Sequence, residues 1–195
     1  MKNIVVFASG SGSNFQSIID AIEAGTLNAR ITGLISNKQK IKALDRASNH
    51  QIPWAVLSES DYDSYDEYCE ALLEQLQDWD ANLIVLAGFL KKIPANVIQA
   101  FQNRILNIHP SLLPKYGGKG FYGLNVHRAV IDAGDKVSGC TIHIVSENYD
   151  DGPILDQAEV PVMDQDTPEE LAARVLEQEH ILYPKVISDY LKTLN

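Results

Sequence analysis

Residues 3–8, Asn-Ile-Val-Val-Phe-Ala, make a continuous apolar run, and Ser9-Gly10-Ser11-Gly12-Ser13-Asn14 follows it directly. Phe15, Ile18, Ile19 and Ile22 then recur at helical spacing. A strand with no polar face has to be covered on both sides, so this opening commits the chain to an α/β fold built on a parallel sheet. Ser13 with Gln16 three residues on matches a capping box, and Gly25 is placed to end the helix. The unpaired amides at the helix start, with the dipole behind them, suit an anion.

What the loop lacks narrows the anion. A dinucleotide fingerprint needs a third glycine where this chain has Phe15, and no acidic residue closes the second strand at Ser36-Asn37. Gly-Lys-Ser/Thr, which would hold a triphosphate, is missing too. A single phosphate monoester fits; so does an ordinary polar turn with no ligand.

The alternation continues with a strand near residues 31–36, a helix near 41–49, a short strand around 54–57, an acidic helix over about 61–79 and a fourth buried strand at 82–87. Tyr65, Tyr68, Leu72, Leu76 and Trp79 form the apolar stripe of the acidic helix. A short helix after Pro94 leads to the strand Ile105-Leu106-Asn107-Ile108-His109, which Pro110 stops. In an extended segment Asn107 and His109 share one face. An amide donates to a carbonyl oxygen that is becoming an oxyanion, and an imidazole moves a proton near neutrality, so the pair is equipment for acyl-type transfer. It is equally what a buried strand uses to satisfy a loop. Open parallel sheets bind ligands beyond the carboxyl ends of their strands, where both the glycine loop and His109 fall.

Beyond Pro114 comes a flexible, basic and aromatic stretch from Lys115 to Gly123. A helix near 125–132, a strand over 137–145 with Thr141, His143 and Val145 on one face, and a turn at 148–153 into a strand over 154–160 predict an antiparallel edge near the C-terminus. Thr167-Pro168-Glu169-Glu170 opens a last helix with an N-cap, a first-turn proline and a capping-box glutamate; Pro184 predicts a kink in it. The expected architecture is a single α/β domain over residues 1–195, an open, mostly parallel twisted sheet with helices on both faces.

A net charge of −10 argues against nucleic acid or an anionic membrane as partner, so an anionic ligand has to be held locally. Cys69 and Cys140 have neither disulfide nor metal spacing and read as core residues of a reducing compartment. The first apolar run is too short for a signal peptide and no segment is long enough to span a bilayer, which together suggest a cytoplasmic protein.

Three separated stretches, Ser-Gly-Ser-Gly-Ser-Asn at 9–14, Asn-x-His-Pro-Ser-Leu-Leu-Pro-Lys-Tyr at 107–116, and Gly139 through His143 to Asp150-x-Gly152-Pro153, resemble the phosphoribosylglycinamide formyltransferase family. The resemblance covers essentially the whole chain. It implies transfer of a formyl group from 10-formyltetrahydrofolate, as cosubstrate, to the amine of glycinamide ribonucleotide in purine biosynthesis, without a metal. It implies Asn107 as the oxyanion donor, His109 as the proton carrier, and Asp150 beside His109, raising its pKa by charge. Gly12, Ser13 and Asn14 would hold the substrate phosphate and Glu179 the ribose. Leu90, Lys91, Lys92 and Ile93, with Asn107 and with Ser146, Glu147, Asn148 and Tyr149, would form the folate pocket. His143 falls beside the catalytic group as a helper or as a packing residue. The partners implied are small molecules, and the protein a monomer or homodimer.

Two features depart from the family pattern. Residues 117–124 make a longer loop than in well-known bacterial members, and Tyr65 stands where those members place an arginine near the folate's glutamate tail, with Lys91 or Lys92 as substitute charge. Methionyl-tRNA formyltransferases add a basic C-terminal domain and formyltetrahydrofolate hydrolases an N-terminal one, so the short chain favours the biosynthetic enzyme. A metal centre of His109, His143 and Asp150 and a non-catalytic phosphate-binding module are the rivals from other classes.

Overall fold

The computed structural model describes residues 1–194. A seven-stranded sheet runs in the order β3-β2-β1-β4-β5-β6-β7, with β1 at Lys2–Phe7, β2 at Ala29–Ser36, β3 at Trp54–Val56, β4 at Leu83–Leu86, β5 at Ile105–His109, β6 at Val137–Ile144 and β7 at Ile154–Pro161. The first five strands pair in parallel, and β6 and β7 add antiparallel to one edge. The order reverses at β1, between β2 and β4, and such a switch point opens a crevice beyond the strand ends.

The side chains of β1 explain the layering. Ile4, Val6 and Ala8 pack among α1 (Ser13–Glu23), α2 (Lys42–Asn49), α5 (Leu124–Asp132) and α6 (Pro168–Leu191). Val5 and Phe7 pack on the other face against α3 (Tyr65–Asp78) and α4 (Ala95–Ala100). Both faces of the sheet are therefore covered, as the unbroken apolar run requires. Cys140 lies in the first core and Cys69 in the second, both as free thiols. No helix among the described residues is long and apolar enough to cross a membrane.

Three local expectations change. The helix after the glycine loop has no side-chain cap: Gly12, at φ 69°, is the N-cap, Ser13 begins the helix, and the Gln16 side chain turns to Asp20 and Arg46. A Cβ on Gly12 would stand 2.8 Å from that of Ala43, so the close approach of α2, as well as the left-handed backbone, requires glycine here. The acidic helix starts at Tyr65 after a separate 3₁₀ turn at Glu59–Asp61, because Ser64 accepts from the Glu67 amide and caps it there. Tyr65 consequently sits on the first turn, 51% exposed, instead of in the core. The last helix, α6, is continuous through the buried Pro184, and its capping box at Thr167 and Glu170 forms as expected.

One residue of α6 ties the core to the crevice. Tyr183 is fully buried, and its single hydroxyl proton is shared between the carbonyl oxygens of Leu86 (3.0 Å) and Leu106 (3.1 Å), which ties the carboxyl end of β4 to β5.

Candidate active site

A cavity of about 330 Å³ opens beyond the carboxyl ends of β4 and β5. It gathers Asn14 from α1, Glu179 from α6, Leu90 to Ile93 after β4, Asn107 and His109 from β5, residues 118–123, and His143, Ser146, Asn148, Tyr149 and Asp150 around the β6–β7 turn. Most of the expected site residues thus converge from five separate segments, and residues 118–123 add a sixth wall. Gly12, Ser13 and Glu147 do not line it; the first two lie just beyond Asn14 at the start of α1. Tyr65 lies outside it on α3, whereas Lys91 and Lys92 are at its exposed rim.

The register of β5 against β6 sets Asn107 opposite His143 and His109 opposite Thr141. Asn107 Nδ2 lies 3.0 Å from His143 Nε2, and His143 Nδ1 lies 3.1 Å from the Ile144 carbonyl oxygen. A carbonyl only accepts, so Nδ1 of His143 carries the proton and Nε2 offers its lone pair. The Asn107 amide therefore donates one N–H to His143, leaving the second for a ligand oxygen.

His109 is 4% exposed. Its Nε2 donates to the Tyr116 carbonyl oxygen at 2.7 Å, which leaves Nδ1 facing Asp150 Oδ2 at 3.5 Å. Asp150, at φ 53°, is held there by the Gly118 amide, which donates to Oδ2 at 2.8 Å, and its Oδ1 lies 3.6 Å from His143. Burial pushes the Asp150 carboxyl up, but the His143 and His109 rings and the Gly118 amide outweigh it and hold the group below the usual carboxylate range. For His109 the Asp150 charge acts in the expected direction, but burial is the larger effect. Burial, with a smaller contribution from the neighbouring His143 ring, outweighs the Asp150 charge and the Tyr116 hydrogen bond, so the ring is held below the ordinary histidine value.

At the other end of the cavity Asn14 donates to Glu179 Oε2 at 2.6 Å. Burial raises the Glu179 pKa and the Asn14 bond partly offsets it; Asn14 Oδ1 is buried with no partner. Arg46, which sequence reasoning passed over, donates from Nε to the Ser11 carbonyl at 2.9 Å and braces the glycine loop from α2. Tyr116 and Gly118 were also beyond it, because both act through backbone atoms that no motif marks. Among the described residues no group of three or more His, Cys, Asp or Glu side chains is arranged to hold a metal ion.

The formyl transferase family profile matches residues 2–187. Phosphoribosylglycinamide formyltransferase from Haemophilus influenzae is 45% identical over 187 residues, covering 96% of this chain and 86% of that protein. The chain belongs to the phosphoribosylglycinamide formyltransferase family. Its formyltransferase fold superposes on glycinamide ribonucleotide transformylase 1 from Symbiobacterium toebii with a TM-score of 0.93, at 38% identity, over 99% of this chain and 89% of that one. The chloroplastic phosphoribosylglycinamide formyltransferase of Vigna unguiculata is 47% identical over 95% of the chain, and the chain spans 60% of that protein's length.

Proposed function

We propose that the protein transfers the formyl group of 10-formyltetrahydrofolate to the amine of 5'-phosphoribosylglycinamide, giving the N-formyl product and tetrahydrofolate, a step of purine biosynthesis. The observation that carries this reading is the meeting, in one cavity, of a polar end at Asn14 and Glu179, an apolar end at Leu90 and Ile93, and Asn107, His109 and Asp150 between them.

In this reading the start of α1 at Gly12, Ser13 and Asn14 holds the phosphate, where free amides and the helix dipole favour it. Glu179 accepts from the ribose hydroxyls. The pteridine lies along residues 90–93 and 146–149, with Lys91 and Lys92 placed for the anionic tail in place of Tyr65. The substrate amine attacks the formyl carbon, and the carbonyl oxygen becomes an oxyanion that accepts the free N–H of Asn107. The amine loses a proton as N10 of the folate gains one, and the tetrahedral intermediate collapses. His109 Nδ1, beside Asp150, is the nitrogen free to carry that proton or to steer a water that does. Neither cysteine takes part, and no covalent enzyme intermediate is needed.

Mixing the protein with glycinamide ribonucleotide and 10-formyltetrahydrofolate, and following tetrahydrofolate release by absorbance, tests the proposal. Release that requires the ribonucleotide and collapses in His109→Ala is the expected result. Release without ribonucleotide would make the protein a hydrolase, and no release would overturn the reading.

A further inference from the structure

We propose that Gln157, on the edge strand β7 and outside the cavity, is a positioning residue for the transfer reaction: it clamps the turn after β5 and so fixes which ring nitrogen of His109 carries the proton. The proposal rests on the reading of His109 given above. Three residues lie side by side across the sheet, His109 on β5, Thr141 on β6 and Gln157 on β7, each directly opposite the next. The two N–H groups of Gln157 Nε2 reach Thr141 Oγ1 at 2.8 Å and the Leu113 carbonyl oxygen at 3.1 Å.

Thr141 is fully buried, and its hydroxyl uses all its capacity. It donates to the Ser111 carbonyl at 2.6 Å and accepts from the Leu113 amide at 3.0 Å and from Gln157. Ser111, also fully buried, donates to the Lys115 carbonyl at 2.7 Å. These bonds close residues 111–116 into a turn whose last member, Tyr116, presents the carbonyl that accepts from His109 Nε2. A Cβ on Gly139 would overlap the Ala158 carbonyl oxygen, so β6 and β7 approach closely two residues from Thr141, in the register that sets Gln157 opposite Thr141. Gln157 is itself exposed to solvent, so what it gives the buried turn is these two hydrogen bonds.

The test reads the imidazole nitrogens of His109 by ¹⁵N NMR in the full chain, comparing wild type with Gln157→Leu, Gln157→Met, Thr141→Val and Thr141→Ser. Neutral His109 is expected in the Nε2–H form in wild type and in Thr141→Ser, which keeps the hydroxyl. The Leu, Met and Val variants should show a mixture of the two tautomers. They should also lose about 10- to 100-fold in kcat with the KM of both substrates nearly unchanged, since misplacing a catalytic group by a fraction of an ångström affects the chemical step. A pure Nε2–H form in folded Gln157→Met, or a tautomer mixture with unchanged kcat, overturns the proposal. The ring measurement needs no substrate; a wild-type protein with no turnover overturns the formyl-transfer reading alone.

Discussion

The amide of Asn107 donates to Nε2 of His143 at 3.0 Å, across the antiparallel pairing that places the two residues opposite each other. His143 is thereby the residue that aims the Asn107 amide. Its own Nδ1–H is spent on the Ile144 carbonyl, so it has no tautomer from which to release that amide. Removing the donor by Asn107→Ala should lower kcat by about 10²- to 10³-fold, the usual loss for one oxyanion donor. His143→Ala, which leaves the donor present but unaimed, should cost less. Steady-state kinetics on both variants check the order.

Asp150 and burial act on His109 in opposite directions, with burial ahead. Asp150→Asn keeps an acceptor for the Gly118 amide and deletes the charge. The His109 pKa should then fall further below its ordinary value, and kcat should drop by about 10²- to 10⁴-fold with the loss of acid–base function. Titrating the ring proton by NMR in both proteins gives the sign directly: an unchanged or raised pKa would show that the carboxylate does not govern the ring.

Much of this arrangement was legible in the order of residues. The apolar run of β1 required two covered faces, and Asn107-x-His109 before Pro110 required both side chains to leave the sheet together. The capping box at Thr167 formed with both of its hydrogen bonds, the Thr167 amide donating to the Glu170 carboxylate and the Glu170 amide to the Thr167 hydroxyl, while the neighbouring Arg174 is taken by Asp166. That at Ser13 did not, because Gln16 finds Asp20 one turn along its own helix and Arg46 and His50 across from it, and the last two are brought there by the packing of α2 on α1. The direction of the His109 shift was beyond reach for the same reason. Sequence names the neighbouring carboxylate, but the depth of burial comes from the turn at 111–116 and the loop at 117–123 that fold over the ring. Backbone acceptors such as Tyr116 leave no trace in residue identity at all.

Glu179 sits in the polar end of the cavity and accepts from Asn14 at 2.6 Å. Glu179→Ala leaves that amide buried without its acceptor and removes the group proposed to meet the ribose. Hydrogen bonds to a charged group are worth roughly 1.5–3 kcal/mol, so losing those to the ribose should raise the KM for the ribonucleotide by about 10-fold or more. The KM for the folate should hardly move. An equal rise in both would place Glu179 in the scaffold instead of the ribose subsite.

His127 on α5 gives a prediction about stability. It is buried with Nδ1 unpartnered, and burial, followed by the neighbouring His109 ring, pushes it from 6.5 down to about 4. Above pH 6.5 the ring is neutral in folded and unfolded chains alike, and its contribution to stability is fully present. Between pH 6.5 and about 4 the unfolded chain binds a proton that the folded one refuses, so stability falls as the pH falls. At 1.36 kcal/mol per pKa unit the loss reaches about 3 kcal/mol, and it levels off below pH 4. His109 and His180, also lowered by burial, add to the same slope. Urea unfolding at pH 7.5 and pH 5 should therefore show a marked loss in wild type and a smaller one in His127→Gln. If the two proteins lose the same amount, the ring is charged in the folded state and must have a partner there.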